Sequence, residues 1–222
     1  MILWVGIAIL ASLVIIVRLY SSQYYKYVKL LPMIFIIGYF CIESEFFPQT
    51  KFFLQKTTLI WILLGLILGA IGDFCLLKKD NQFWFLGGLI FFLLGHIAYI
   101  DYIFSLEFNA KNIFWPMVIP LIMFNGIYLY FMINLLKQKK KKIFIVPIIL
   151  YMIVISSLVV FNISYELTNF NTLSHLSIAA VLFLISDSLL GINTFDQYRP
   201  VVQFLVLATY YTSQGFFVQA VS

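Results

Sequence analysis

Eight apolar stretches, each about as long as a bilayer-crossing helix, fill nearly the whole chain and leave only short loops between them. They run roughly over 2–20, 27–46, 57–77, 83–104, 113–136, 143–161, 174–194 and 200–219. A helix rises about 1.5 Å per residue, so about 20 apolar residues cross a hydrocarbon core of about 30 Å. No stretch alternates apolar and polar residues with period 2, as the strands of a membrane barrel do. In lipid, backbone amides and carbonyls must pair within the chain, which leaves helices. The expected fold is all-α: a polytopic membrane protein with eight transmembrane helices, forming one domain over 1–222.

Composition agrees. Of the 222 residues, 63% are hydrophobic and 10% charged, with a mean hydropathy of +1.02. A soluble domain is about 45–50% apolar and about 25% charged, so soluble and disordered classes are excluded. The net charge is +5, but five of the fourteen basic residues sit between Lys137 and Lys142. That pattern fits a loop at an anionic membrane surface and gives no reason to expect a nucleic-acid partner. Cys41 and Cys75 both lie in apolar runs and form neither a disulfide framework nor a metal site. Residues 1–20 lack the basic start and small-residue cleavage site of a signal peptide and read as the first span.

Loop charge sets the expected orientation. The odd-numbered loops and their flanks carry eleven cations, including Arg18, Lys26, Lys29, Lys78, Lys79 and Arg199; the even loops carry Lys51, Lys56 and Lys111. The positive-inside rule places the odd loops in the cytoplasm and both termini outside. The Phe, Ile, Asn and Lys richness suggests an AT-rich genome, with a bacterial inner membrane as the expected location.

Ionisable groups are expensive in hydrocarbon and mark function there. Well inside the spans lie three: Asp73, His96 and Asp187. Asp73 is placed about 6 Å, and Asp187 about 10 Å, from the cytoplasmic ends of their spans, from 1.5 Å per residue. The two carboxyls are therefore expected to meet. Lys29 falls at a span end, and no cation is expected within the spans to neutralise the pair. Burial without a cation favours a neutral carboxyl, and a second carboxylate nearby favours it further. One protonated acid beside one ionised acid is what general acid–base chemistry needs. The plain structural alternative is that the aspartates bond neighbouring helices as glue.

Other polar groups share helix faces. Gln203, Tyr210 and Gln214 follow one another at seven and four residues, with Leu207 between. His96 and Tyr99 share a face with Gly88, Phe92 and Gly95, and depth places His96 nearer the midplane than the aspartates. Asn125 and Tyr128 form a similar pair. As structural residues, these would form an interhelical hydrogen-bond ladder and a satisfied bundle histidine. Gly65, Gly69 and Gly72 precede Asp73 and allow close helix approach. A three-histidine zinc site has too few histidines, and no G-x-S-x-G turn is present.

Several of these runs resemble one family. Gly72-Asp73-Phe74-Cys75-Leu76-Leu77, then Phe85-Leu86-Gly87-Gly88-Leu89, then Phe91-Phe92-Leu93-Leu94-Gly95-His96-Ile97-Ala98-Tyr99 resemble the signature of the YhhN/TMEM86 family. Phe183-Leu184-Ile185-Ser186-Asp187-Ser188-Leu189-Leu190 resembles its second aspartate motif, and Thr209-Tyr210-Tyr211-Thr212-Ser213-Gln214 its last-helix motif. Lys29 and Pro32 stand where the family has a Lys-Pro element, here with two leucines between them.

The resemblance implies a lysoplasmalogenase. Such an enzyme is an intramembrane hydrolase that cleaves the vinyl ether bond of a lysophospholipid to a fatty aldehyde and glycerophosphoethanolamine or glycerophosphocholine. Asp73 and Asp187 are then the catalytic acids. His96, Tyr99, Asn125, Tyr210, Gln214 and Lys29 are supporting or substrate-binding residues, Lys29, Lys78 or Lys79 drawing the phosphate. No metal or organic cofactor is required. The partners are the lysophospholipid and membrane lipids, and oligomeric state is left open. A proton- or ion-coupled transporter is the rival reading, because intramembrane carboxylates also line ion paths. No inverted repeat or matched pair of broken helices supports it.

Overall fold

The computed structural model describes residues 1–20, 22–44, 53–78 and 81–221. Among them, regular structure is entirely helical: α1 (Ile2–Tyr20), α2 (Ser22–Val28), α3 (Leu31–Glu43), α4 (Phe53–Leu76), α5 (Gln82–Ser105), α6 (Trp115–Gln138), α7 (Ile145–Phe170), α8 (His175–Phe195) and α9 (Pro200–Gln219), with short 3-10 turns at Ala110–Asn112 and Lys142–Phe144. Seven helical segments are long and apolar enough to cross a membrane, and Ile2–Arg18 is a shorter apolar helix. The chain is an integral membrane protein. Its outer faces agree: Ile119, Ile122, Met123, Ile127 and Phe131 of α6 are all exposed, an arrangement that lipid, not water, accommodates.

Two of the expected spans differ. The stretch 27–46 is not one helix. Helix α2 ends at Val28, the chain turns through Lys29 and Leu30, and α3 restarts with Pro32 in its first turn. Proline is at ease there because it lacks only an amide that a helix start leaves unpaired. The end of that stretch, 45–46, and Lys79 lie outside the described residues. The sixth span continues to Phe170 rather than stopping at 161, because its polar end has a structural task. Buried Glu166 accepts from the Ser174, Leu176 and Ser177 amides (2.7, 3.0 and 3.2 Å) and from the Ser174 hydroxyl (2.7 Å). A carboxylate on the free amides of a helix start satisfies them and complements its dipole. Helix α7 therefore caps α8.

Helices α4 and α5 pack along each other, as do α8 and α9; α7 borders α5 and α8, and α1 lies against α2, α3 and α9. The α4–α5 seam is close. A Cβ at Gly95 would stand 3.3 Å from the Gly65 carbonyl oxygen, and one at Gly88 would stand 3.3 Å from that of Gly72. Backbones that approach this closely leave no room for larger residues. The seam fixes the end of α4, and with it Asp73, against the α5 face that carries Phe92 and His96.

Candidate active site

Asp73 lies in the last turn of α4, three residues before Leu76. That turn is tightened: the Leu77 amide bonds back to the Phe74 carbonyl and the Lys78 amide to the Cys75 carbonyl, both at 3.1 Å. The Asp73 carbonyl is thus one of the orphan acceptors of a helix end. Lys29 fills it. Because the chain turns between α2 and α3, its ammonium is carried inward. Nζ donates to the Asp73 carbonyl oxygen at 3.0 Å and pairs with Asp73 Oδ1 at 2.7 Å. Lys29 is 5% exposed and Asp73 3%. The Lys29 carbonyl accepts from the Tyr211 hydroxyl at 2.8 Å, which ties the turn to α9. A cation at a helix C-terminus also complements the dipole.

This corrects two expectations. A cation does neutralise one aspartate from within the membrane-spanning bundle, and Lys29 does not reach the interface to draw a phosphate. The reason is the helix break, which turns a residue at the end of a presumed span toward the core.

Asp187 is held differently. It lies on α8 with its side chain 6% exposed, and its nearest ionisable neighbour is His96, whose Nε2 stands 3.6 Å from Asp187 Oδ2. No lysine or arginine among the described residues pairs with it. Instead the Tyr151 hydroxyl of α7 donates to Oδ2. His96 is fully buried, packs edge-on against Phe183 (4.4 Å) and Tyr151 (5.3 Å), and neither ring nitrogen has a hydrogen-bond partner. It is therefore at the level of Asp187, not deeper, and it is not a satisfied bundle histidine.

The two carboxyls do meet. Asp73 and Asp187 line one cavity of about 30 Å³ with Lys29, Phe92, Gln203 and Tyr210. A space of about 10–15 Å³ holds a water molecule, so this one admits one or two small groups. Two polar atoms among its lining residues have no partner: Asp73 Oδ2 and the Tyr210 hydroxyl. Next to it on the far side of Asp187 is an apolar pocket of about 40 Å³ that shares Leu76, Phe92 and Leu190 and adds Phe85, Tyr128 and Phe195.

The remaining expected residues divide. Tyr99 and Gln214 form a buried layer beneath the cavity, with the Tyr99 hydroxyl donating to Gln214 Oε1. A Cβ at Gly69 would stand 3.0 Å from the Tyr210 hydroxyl and 3.2 Å from Gln214 Nε2, so that glycine makes the space both groups occupy. Asn125 is not brought to the site. It exchanges hydrogen bonds with Ser156 (2.8 and 3.2 Å) in the α6–α7 contact, because α6 stays at the periphery. Its neighbour Tyr128 does approach, lining the apolar pocket and donating to the Ser188 carbonyl at 3.2 Å. Tyr151 is the site residue that sequence reasoning missed. Its signal was a hydroxyl seven residues into an apolar span, hidden among fourteen tyrosines.

The sequence model of the YhhN family matches residues 24–221. No curated protein and no solved structure matches the chain. The match takes in both aspartates and every other residue of the cavity, and the chain belongs to the YhhN family.

Proposed function

We propose that this chain, as a YhhN-family membrane protein, is an intramembrane hydrolase that cleaves the vinyl ether bond of lysoplasmalogens. The observation that carries the reading is the unequal pair: two carboxyls on one cavity, one clasped by a buried ammonium and one with no cation. The pairing assigns the roles. Asp73, beside Lys29, is the carboxylate. Asp187 is the neutral acid, and the Tyr151 hydroxyl on Oδ2 leaves Oδ1 to carry its proton.

The acid proton passes from Asp187 to the β-carbon of the vinyl ether, and the double bond's electrons form the new C–H bond. The α-carbon becomes an oxocarbenium ion, stabilised by the Asp73 charge across a dry cavity. Asp73 then takes a proton from a water molecule as its oxygen adds to that carbon. The hemiacetal collapses when Asp187 recovers the hydroxyl proton and Asp73 returns its own to the departing glycerol oxygen. One water is consumed, aldehyde and alcohol leave, and both acids are reset. The apolar pocket beside Asp187 suits the first carbons of the alkenyl chain, with the rest in the bilayer. Loop charge supports a cytoplasm-facing site with both termini outside, in a bacterial inner membrane.

The test is aldehyde release by the purified protein in detergent from a lysoplasmalogen, beside Asp73→Asn and Asp187→Asn. Release by the wild type, lost in both variants, is expected. Near-full activity in both would end the two-acid mechanism.

A further inference from the structure

Resting on that reading, we infer that Arg18 and Tyr198 form the binding site for the substrate's phosphate headgroup, in a groove that leads to the aspartates. The groove holds about 200 Å³ and is lined by Ile15, Arg18, Tyr198, Pro200, Gln203 and Phe204, among others. Gln203 and Leu207 line both the groove and the aspartate cavity. They are four residues apart on α9, about 6 Å at 1.5 Å per residue. That is comparable to a three-carbon glycerol backbone, which separates the ether oxygen from the phosphate.

The cations at this end of the bundle are distinguishable by what they already hold. Lys29 is held by Asp73 and Arg199 by Asp196 (3.3 Å). Lys78 lies over the Trp84 ring at 4.7 Å and Lys141 over Phe195 at 5.4 Å. Arg18 has no carboxylate among the described residues. Its guanidinium is nonetheless fixed, 4.6 Å from the Tyr25 ring centroid and 5.2 Å from that of Tyr198, with Nε donating to the Tyr198 hydroxyl at 3.1 Å. Stacking and one hydrogen bond orient the fork while leaving both Nη groups to donate. That suits bidentate recognition of a phosphate. The apolar walls beside it, Ile15, Val201 and Phe204, favour a phosphate that arrives on a lipid over a free anion.

Equilibrium binding of two non-hydrolysable lipids to the purified protein tests this independently of turnover: a saturated 1-alkyl-glycerophosphoethanolamine and the matching 1-alkylglycerol. The wild type should prefer the phosphate-bearing lipid by about tenfold or more, the scale of a charge-assisted hydrogen bond. Arg18→Gln should erase the preference while still binding alkylglycerol, and Arg18→Lys should restore part of it. An undiminished preference in Arg18→Gln would overturn the assignment. So would inorganic phosphate that binds as tightly as the lipid, since that marks a free-anion site. Headgroup preference without aldehyde release would leave this site standing and remove the proposed reaction. Aldehyde release with an Arg18-independent preference would do the reverse.

Discussion

At the scale of single residues, the site is an arrangement of unequal partners. Removing the ammonium in Lys29→Met strands the Asp73 charge in a buried place. A broken buried pair costs about 3–5 kcal/mol, so the variant should lose activity and unfold at a markedly lower temperature in detergent. Adding Asp73→Asn should recover much of the stability and none of the aldehyde release. Tyr151→Phe removes the hydroxyl that orients Asp187 while keeping the ring against His96. It should lower kcat about tenfold with little change in KM, the scale of one charge-assisted hydrogen bond. An unchanged kcat would show that Tyr151 only packs. Asp73, Asp187, His96 and Tyr210 were legible in the sequence because a polar group inside an apolar run stands out against its neighbours. Lys29 was not, because its inward course depends on a chain turn that no local residue pattern announces. Asn125 looked equivalent to Tyr128, and only the peripheral position of α6 separates them.

At the scale of elements, two contacts make predictions that should leave chemistry and stability separable. Glu166 caps α8 at the end of the bundle opposite the aspartates, so Glu166→Ala should lower the thermal midpoint by the equivalent of about 1–3 kcal/mol. In the fraction that remains folded, kcat should hold. Gly95→Val places branched carbons against the Gly65 carbonyl, which a bare Cβ already approaches to 3.3 Å. Overpacking of this kind costs about 1–3 kcal/mol. Because the α4–α5 seam also sets Asp73 against Phe92, activity should fall along with stability. Span existence was legible from apolar length alone. Span ends were not: Asn162, Ser164 and Glu166 look like the start of a loop, but their partners lie within the bundle, so the helix continues to Phe170.

For the whole molecule, the helix ends that carry the site all meet at the lysine-rich end: the end of α1, the α2–α3 turn, the ends of α4 and α8, and the start of α9. A topology with that end in the cytoplasm predicts that reporters fused at either terminus are active only outside the inner membrane, while one inserted at Lys140 is active only inside. Opposite locations for the two termini would mean an odd number of crossings.

The Lys29–Asp73 clasp also has an electrical consequence. With Asp187 neutral, the two acids and one ammonium carry no net charge, and the proposed cycle returns every proton to its starting place. Nothing charged crosses the bilayer during turnover. In sealed vesicles, the rate of aldehyde release should therefore be indifferent to an imposed membrane voltage, and the reaction should draw no current. A carrier using the same carboxylates to move protons or ions across an unbalanced field would respond to that voltage in every cycle.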